Sequence, residues 1–141
     1  MITLEEVRAT ALELALEMPG RKNQVCEYQH TVTYERPTEY GRTIIRPRPI
    51  GPGCLVGSIL WHLAPEELPF YTDNPQVGDY LEQHPHMFTE EAERWLYEAQ
   101  GIADSTGPGD ESGVSNRPYW LTAILQADIR CGIEFGRYDR A

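Results

Sequence analysis

The chain has 141 residues, of which 40% are apolar, and a formal charge of -10. That length suits one domain able to bury roughly 70% of its unfolded surface, so neither disulfide nor metal is required for folding. Phosphates repel so acidic a molecule, which excludes general nucleic-acid binding. No apolar run approaches the roughly 20 residues of a membrane-spanning helix.

Residues 1–60 hold seven acidic and seven basic side chains, so the whole acidic excess falls in residues 61–141. Three widely spaced cysteines fit a reducing setting better than a disulfide framework. The acidic N-terminus, Met1-Ile2-Thr3-Leu4-Glu5-Glu6, is unlike a signal peptide, so a cytoplasmic location is expected. Lys22 is the only lysine beside many arginines, a composition that points to a GC-rich genome.

In chain order, Thr3-Leu4-Glu5-Glu6 reads as a capping box, with Ile2 and Val7 in the staple positions. Leu4, Val7, Ala11, Leu14 and Met18 continue at helical spacing until Pro19-Gly20. From Gln24 to Glu35 the period becomes two, as in a half-buried strand. Pro37 to Gly41 supplies a turn and Arg42 to Arg46 the returning strand. Pro47 and Pro49 are expected to end the ladder and continue as an extended path.

Gly51-Pro52-Gly53 leads into a short, very apolar helix from about Cys54 to Leu63. A helix apolar on most sides is a central one, and Gly57 within it suggests close backbone packing. Pro65 to Leu68 reads as a single helical turn. Asn74 is expected to cap a short helix toward Leu81, and Thr89 to cap the next, whose stripe is Ala92, Trp95, Leu96, Ala99, Ile102 and Ala103. Residues 105–116 read as a flexible loop. Pro118 is expected in the first turn of a last helix carrying Trp120, Ile124, Ala127 and Cys131, and Gly132 to Ala141 as a possible terminal strand. Trp61, Trp95 and Trp120 are all expected in the core. The expected class is α+β: one compact domain, 1–141, with a small antiparallel hairpin or short sheet packed on four to five helices.

The Cys26-x-Tyr28 strand, Gly53-Cys54-Leu55-Val56-Gly57, Asp73-Asn74-Pro75, Trp95-Leu96-x-x-Ala99-Gln100 and Trp120-x-x-Ala123 span most of the chain. In these features it resembles a loose group of small, uncharacterised actinobacterial and actinobacteriophage proteins. The resemblance supports the fold and implies a phage or actinobacterial source, and it adds nothing to mechanism. The long hairpin and residues 105–116 look like insertions relative to its shorter members.

Chemical cues are few. Cys54 at a helix start is the best nucleophile candidate, since that position lowers a thiol pKa. The nucleophile elbow needs glycines two residues either side, where Pro52 and Val56 stand. His62 lies eight residues along the same helix, roughly 12 Å away, and cannot be its base. Core packing is the favoured reading. Cys26 and His30 are roughly 13 Å apart on a strand, too far to share a zinc, and His84-Pro85-His86 supplies two ligands only. No metal or cofactor is expected. Gly51-x-Gly53-x-x-x-Gly57 departs from the dinucleotide fingerprint by one residue, and Pro52 removes a donor. An anion at this helix start is the weaker alternative to glycines serving a turn.

Arg36, Arg42, Arg46 and Arg48 gather on the hairpin with Tyr34 and Tyr40. These six residues form the candidate binding surface, for arginine and tyrosine carry interface energy. A charged, protected sheet edge is the bland alternative. The leading expectation is therefore a non-enzymatic protein-interaction module, and the resemblance implies a phage-encoded one acting on a host component. The alternatives are a small hydrolase-type enzyme using Cys54, or an acidic pair such as Asp73 with Asp79, and an acidic nucleic-acid mimic.

Overall fold

The structure is a computed structural model that describes residues 1–23, 28–37, 43–69, 74–105 and 117–133; from His30 through Pro52 it describes the strand backbone alone. In chain order the elements are α1 (Leu4–Glu17), β1 (Gln29–Pro37), β2 (Thr43–Pro52), α2 (Leu55–Leu63), a 3-10 turn (Pro65–Glu67), α3 (Val77–Gln83), α4 (Glu90–Ala103) and α5 (Trp120–Arg130).

Helix α1 begins at the capping box. Thr3 Oγ1 accepts from the Glu6 N–H and the Thr3 N–H donates to Glu6 Oε2, both at 3.3 Å. Just before the cap, Ile2 exchanges backbone bonds with the start of α4: its N–H donates to Met87 O and its carbonyl accepts from Thr89 N–H. Thr89 caps α4 as expected, through Ala92 N–H. Helix α5 ends in a Schellman motif. Gly132 has φ 71°, its N–H donates to Ile129 O, and the Ile133 N–H reaches back to Asp128 O. Only Gly132 and Ile133 of the proposed terminal strand are described, and both belong to this helix end. Residues 106–116, most of the proposed loop, lie outside the described residues.

The core is helix packed on helix. Val7, Ala11, Leu14 and Ala15 of α1 meet Leu55, Val56, Ile59 and Leu60 of α2. Around them lie Tyr80 and Leu81 of α3, Trp95 and Leu96 of α4, and Trp120 and Ile124 of α5. Every residue from Leu55 to Leu60 is buried, which makes α2 the central helix its composition predicts. Helices α4 and α5 pack along each other, and α1 touches α2, α4 and α5.

The expected α+β class is therefore corrected: the protein belongs to the all-α class, with five helices among the described residues. Among the described residues, strands β1 and β2 pair only with each other and form no larger sheet, and β2 touches the helical body at α2. A two-stranded ribbon has no third strand through which to spread a buried face, so the helices must cover one another.

Local expectations are corrected too. Strand β2 runs through Pro47 and Pro49 to Pro52, with Pro47 opposite Thr33 and Pro49 opposite Thr31. Prolines two residues apart turn their nitrogens to the same, outer edge, so the ladder survives them. Gln76, not Asn74, is the N-cap residue of α3. Asn74 Oδ1 instead accepts from the Tyr28 N–H at 3.3 Å. Pro118 precedes α5, whose N-cap is Tyr119. Trp61 is 37% exposed, because it turns off the buried side of α2, whereas Trp95 and Trp120 are buried as expected.

Candidate functional site

The start of α2 carries the two chemical ideas that depend on free backbone donors, a thiolate at Cys54 and an anion at the glycine turn. Its first-turn donors are already taken. The Leu55 N–H donates to Asn23 Oδ1 at 2.8 Å, the Val56 N–H to Gln100 Oε1 at 3.2 Å, and the Gly57 N–H to Cys54 Sγ at 3.4 Å. Just before them, the Gly53 N–H donates to Tyr28 O at 3.0 Å. Cys54 is 2% exposed and serves as the N-cap. Its sulfur is an acceptor inside the protein, which is the core role. His62 bonds through Nδ1 to Ser58 O on its own helix, away from Cys54.

Asn23 and Gln100 belong to a polar cluster that the sequence reading missed. Asn23 Oδ1 also accepts from Trp120 Nε1 at 2.8 Å, and Asn23 Nδ2 donates to Asp104 Oδ1 at 2.8 Å. Gln100 Nε2 donates to Asp104 Oδ2 at 3.2 Å. The Asn23 carbonyl accepts from Arg117 Nη1 at 3.0 Å, and the Arg21 guanidinium lies 4.5 Å over the Trp120 ring. One asparagine thus ties the starts of α2 and α5 to the end of α4.

A second buried cluster joins α1, α4 and α5. Arg8 Nε donates to Asp128 Oδ1 at 3.0 Å and Oδ2 at 2.8 Å, while Arg8 Nη2 lies 2.7 Å from Oδ2. Trp95 Nε1 donates to Asp128 Oδ1 at 2.8 Å. Both charged residues are buried, at 6% and 4% exposure. Such a pair contributes geometry more than net stability, since desolvation offsets the attraction. A signal for it was present: Arg8 follows Leu4 by four residues and precedes Ala11 and Ala15, and Asp128 follows Ile124 by four. A charge on the apolar face of each of two helices is a pairing pattern.

The two histidines of the pair stand in different surroundings. His84 Nδ1 bonds to Tyr80 O at 2.9 Å, its ring stacks on Tyr80 at 4.3 Å, and Nε2 lies 3.5 Å from Glu67 Oε2. His86 is exposed. Among the described residues no group of three or more His, Cys, Asp or Glu is placed to hold a metal. Glu66, Glu67, Pro69, Pro75, Tyr80 and His84 line a cleft of about 210 Å3. That is below the roughly 300–1,000 Å3 of ordinary ligand pockets. Tyr80 donates its hydroxyl to Glu67 O at 2.7 Å, and burial, helped by the Glu67 carboxylate, pushes its phenol well above the usual range. A tyrosine so held is a structural donor. Asp79 is exposed, while Asp73, its proposed partner, lies outside the described residues, as does Cys26.

The hairpin residues divide. Tyr40 and Arg42 lie outside the described residues. Tyr34, Arg36, Arg46 and Arg48 are on the paired strands, with Tyr34 opposite Arg46, Val32 opposite Arg48 and Arg36 opposite Ile44. Directly opposite residues share a face, as do alternate residues along a strand. The register therefore assigns Tyr34, Arg36, Arg46 and Arg48 to one face of the ribbon. The other face takes Thr31, Thr33, Glu35, Thr43 and Ile45 with Pro37, Pro47 and Pro49.

Fold and site together define a helical body carrying an arginine-bearing β-ribbon. Comparison with protein-family models, with curated proteins and with solved structures found no match. No helix among the described residues is long and apolar enough to cross a membrane.

Proposed function

We propose that this chain is a non-enzymatic protein-interaction module of the cytoplasm, and that its contact surface is the ribbon face bearing Tyr34, Arg36, Arg46 and Arg48. The observation that carries the reading is the register, which gathers these four residues on one face. Arginine and tyrosine are over-represented among the residues that dominate binding energy. Supporting it, the reactive groups of the helical body have structural work: Cys54 caps α2, Arg8 and Asp128 pair, and His84 leans on Tyr80 and Glu67. The resemblance to actinobacteriophage proteins makes a host protein with an acidic surface the natural partner.

The test replaces Arg46 and Arg48 together with Ala and compares recovery of partners from an actinobacterial lysate. A saturable partner lost by the double variant, with the melting temperature nearly unchanged, is the expected result. Equal recovery by wild type and variant overturns the assignment of the surface. An activity that is abolished by Cys54→Ala in a stably folded protein moves the reading to an enzyme.

A further inference from the structure

A proline lacks the N–H that a hydrogen-bonded pair exchanges, so in an antiparallel ladder it belongs at a non-hydrogen-bonded pair. There both residues turn their backbone polar groups outward. Thr31 opposite Pro49 and Thr33 opposite Pro47 are such pairs, and Glu35 opposite Ile45 has the same parity. The two edges of the ribbon are therefore unequal. The outer edge of β2 presents Pro47 and Pro49, which have carbonyls and no donors. The outer edge of β1 presents N–H and C=O together at Thr31, Thr33 and Glu35. No further strand pairs with either edge among the described residues.

Resting on the interaction reading above, we infer that the partner binds by adding an extended segment to the outer edge of β1, with acidic side chains at alternate positions over the arginine face. Edge addition takes its affinity from main-chain bonds and its specificity from alternate side chains. A strand on this edge has Val32, Tyr34 and Arg36 as its neighbours on that face, with Arg46 and Arg48 one strand further, roughly 10 Å away. The face carries three arginines and no acid at Val32, Tyr34 or Ile44, so carboxylates complement it. A second copy of this chain does not: pairing β1 with β1 puts both arginine faces on the same side of one sheet, and like charges oppose that.

The probe is a displayed library of random dodecapeptides selected at low salt against the full chain. Enrichment of Asp or Glu at every second position is expected. Synthetic copies of the winners should bind the Thr33→Pro variant about tenfold or more weakly, a loss of roughly 1.4 kcal/mol. Thr33 sits at a pair that already tolerates proline across the ribbon, so this change removes an outward donor and leaves the ladder bonds in place. A second measurement does not depend on that variant folding: N-methylation of alternate peptide residues should abolish binding in one phase and spare it in the other. If Arg46→Ala with Arg48→Ala loses binding while Thr33→Pro and both methylated phases bind normally, edge addition is wrong and the arginine surface stands. If all variants bind as wild type, both readings fail. Winners without alternating acids, or a chain that dimerises in a Thr33-dependent way, overturn the acidic partner.

Discussion

At the scale of single residues, Gly57 is the sharpest constraint. A Cβ there would run into the Tyr28 carbonyl oxygen and lie 2.7 Å from Tyr28 Cα. Backbone cannot swing aside as a flexible side chain can, so α2 and the root of β1 approach only through glycine. Gly57→Ala should cost about 3 kcal/mol in denaturant titration. Asp128→Asn leaves Arg8 charged and buried without its counter-ion, and should cost about 3–5 kcal/mol by the same measurement. Cys54→Ser sets two effects against each other. A hydroxyl in an apolar site lowers stability, but Ser at an N-cap is the better acceptor for the Gly57 N–H. Near-neutral stability is the expected outcome, with Cys54→Ala the more damaging change. Tyr80 gives a pH signature. Its phenol is held protonated by burial and by Glu67, so the folded protein keeps a proton that the unfolded chain releases near pH 10. Stability therefore falls as pH rises through that range. Ultraviolet titration should show a tyrosine that ionises only on alkaline unfolding, and Tyr80→Phe should remove that step.

At the scale of elements, helix starts satisfy their orphan N–H groups either locally or through tertiary partners. Thr3 and Thr89 cap α1 and α4 locally, from one turn away in sequence. Helix α2 depends on tertiary partners, Asn23 from before the hairpin and Gln100 from α4. Asn23→Ala strips acceptors from the Leu55 N–H and from Trp120 Nε1 at once. Two buried donors without partners predict a loss of about 2–5 kcal/mol. The check is calorimetric, and hydrogen exchange should show the start of α2 opening first. If exchange at Leu55 is unchanged in that variant, the asparagine does not hold this helix start.

At the scale of the whole molecule, the charge distribution separates body from ribbon. Residues 61–141 carry the entire excess of -10, while the ribbon face described above carries arginine. Under the proposed interaction reading, an acidic partner would be drawn to the ribbon and repelled by much of the body, which would restrict the approach. Association should then weaken steeply between low and physiological salt, because exposed charges are screened over about 8–10 Å. Affinity that is indifferent to salt counts against an arginine-led contact.

Sequence alone determined the features whose physics is local. The capping box at Thr3, the Thr89 cap, the Pro65 turn and the apolar stripes of α2 and α4 all rest on neighbours within a turn or two of helix. The density of apolar residues in α2 also announced its central place, and Gly57 its close contact. The strand at Gln29–Pro37 was legible from its alternation, since side chains along a strand have a fixed period of two. Tertiary structure decided the rest. Whether the hairpin joined a sheet layer depended on long-range pairing, and the helices covered one another instead. Asn74 was expected to cap a helix but turned to Tyr28, and Asn23, with no local cue, reached the first turn of α2 across 32 positions in sequence. Arg8 and Asp128 lie 120 residues apart, so only packing of α1 on α5 brought the opposite charges together where neither could be buried alone.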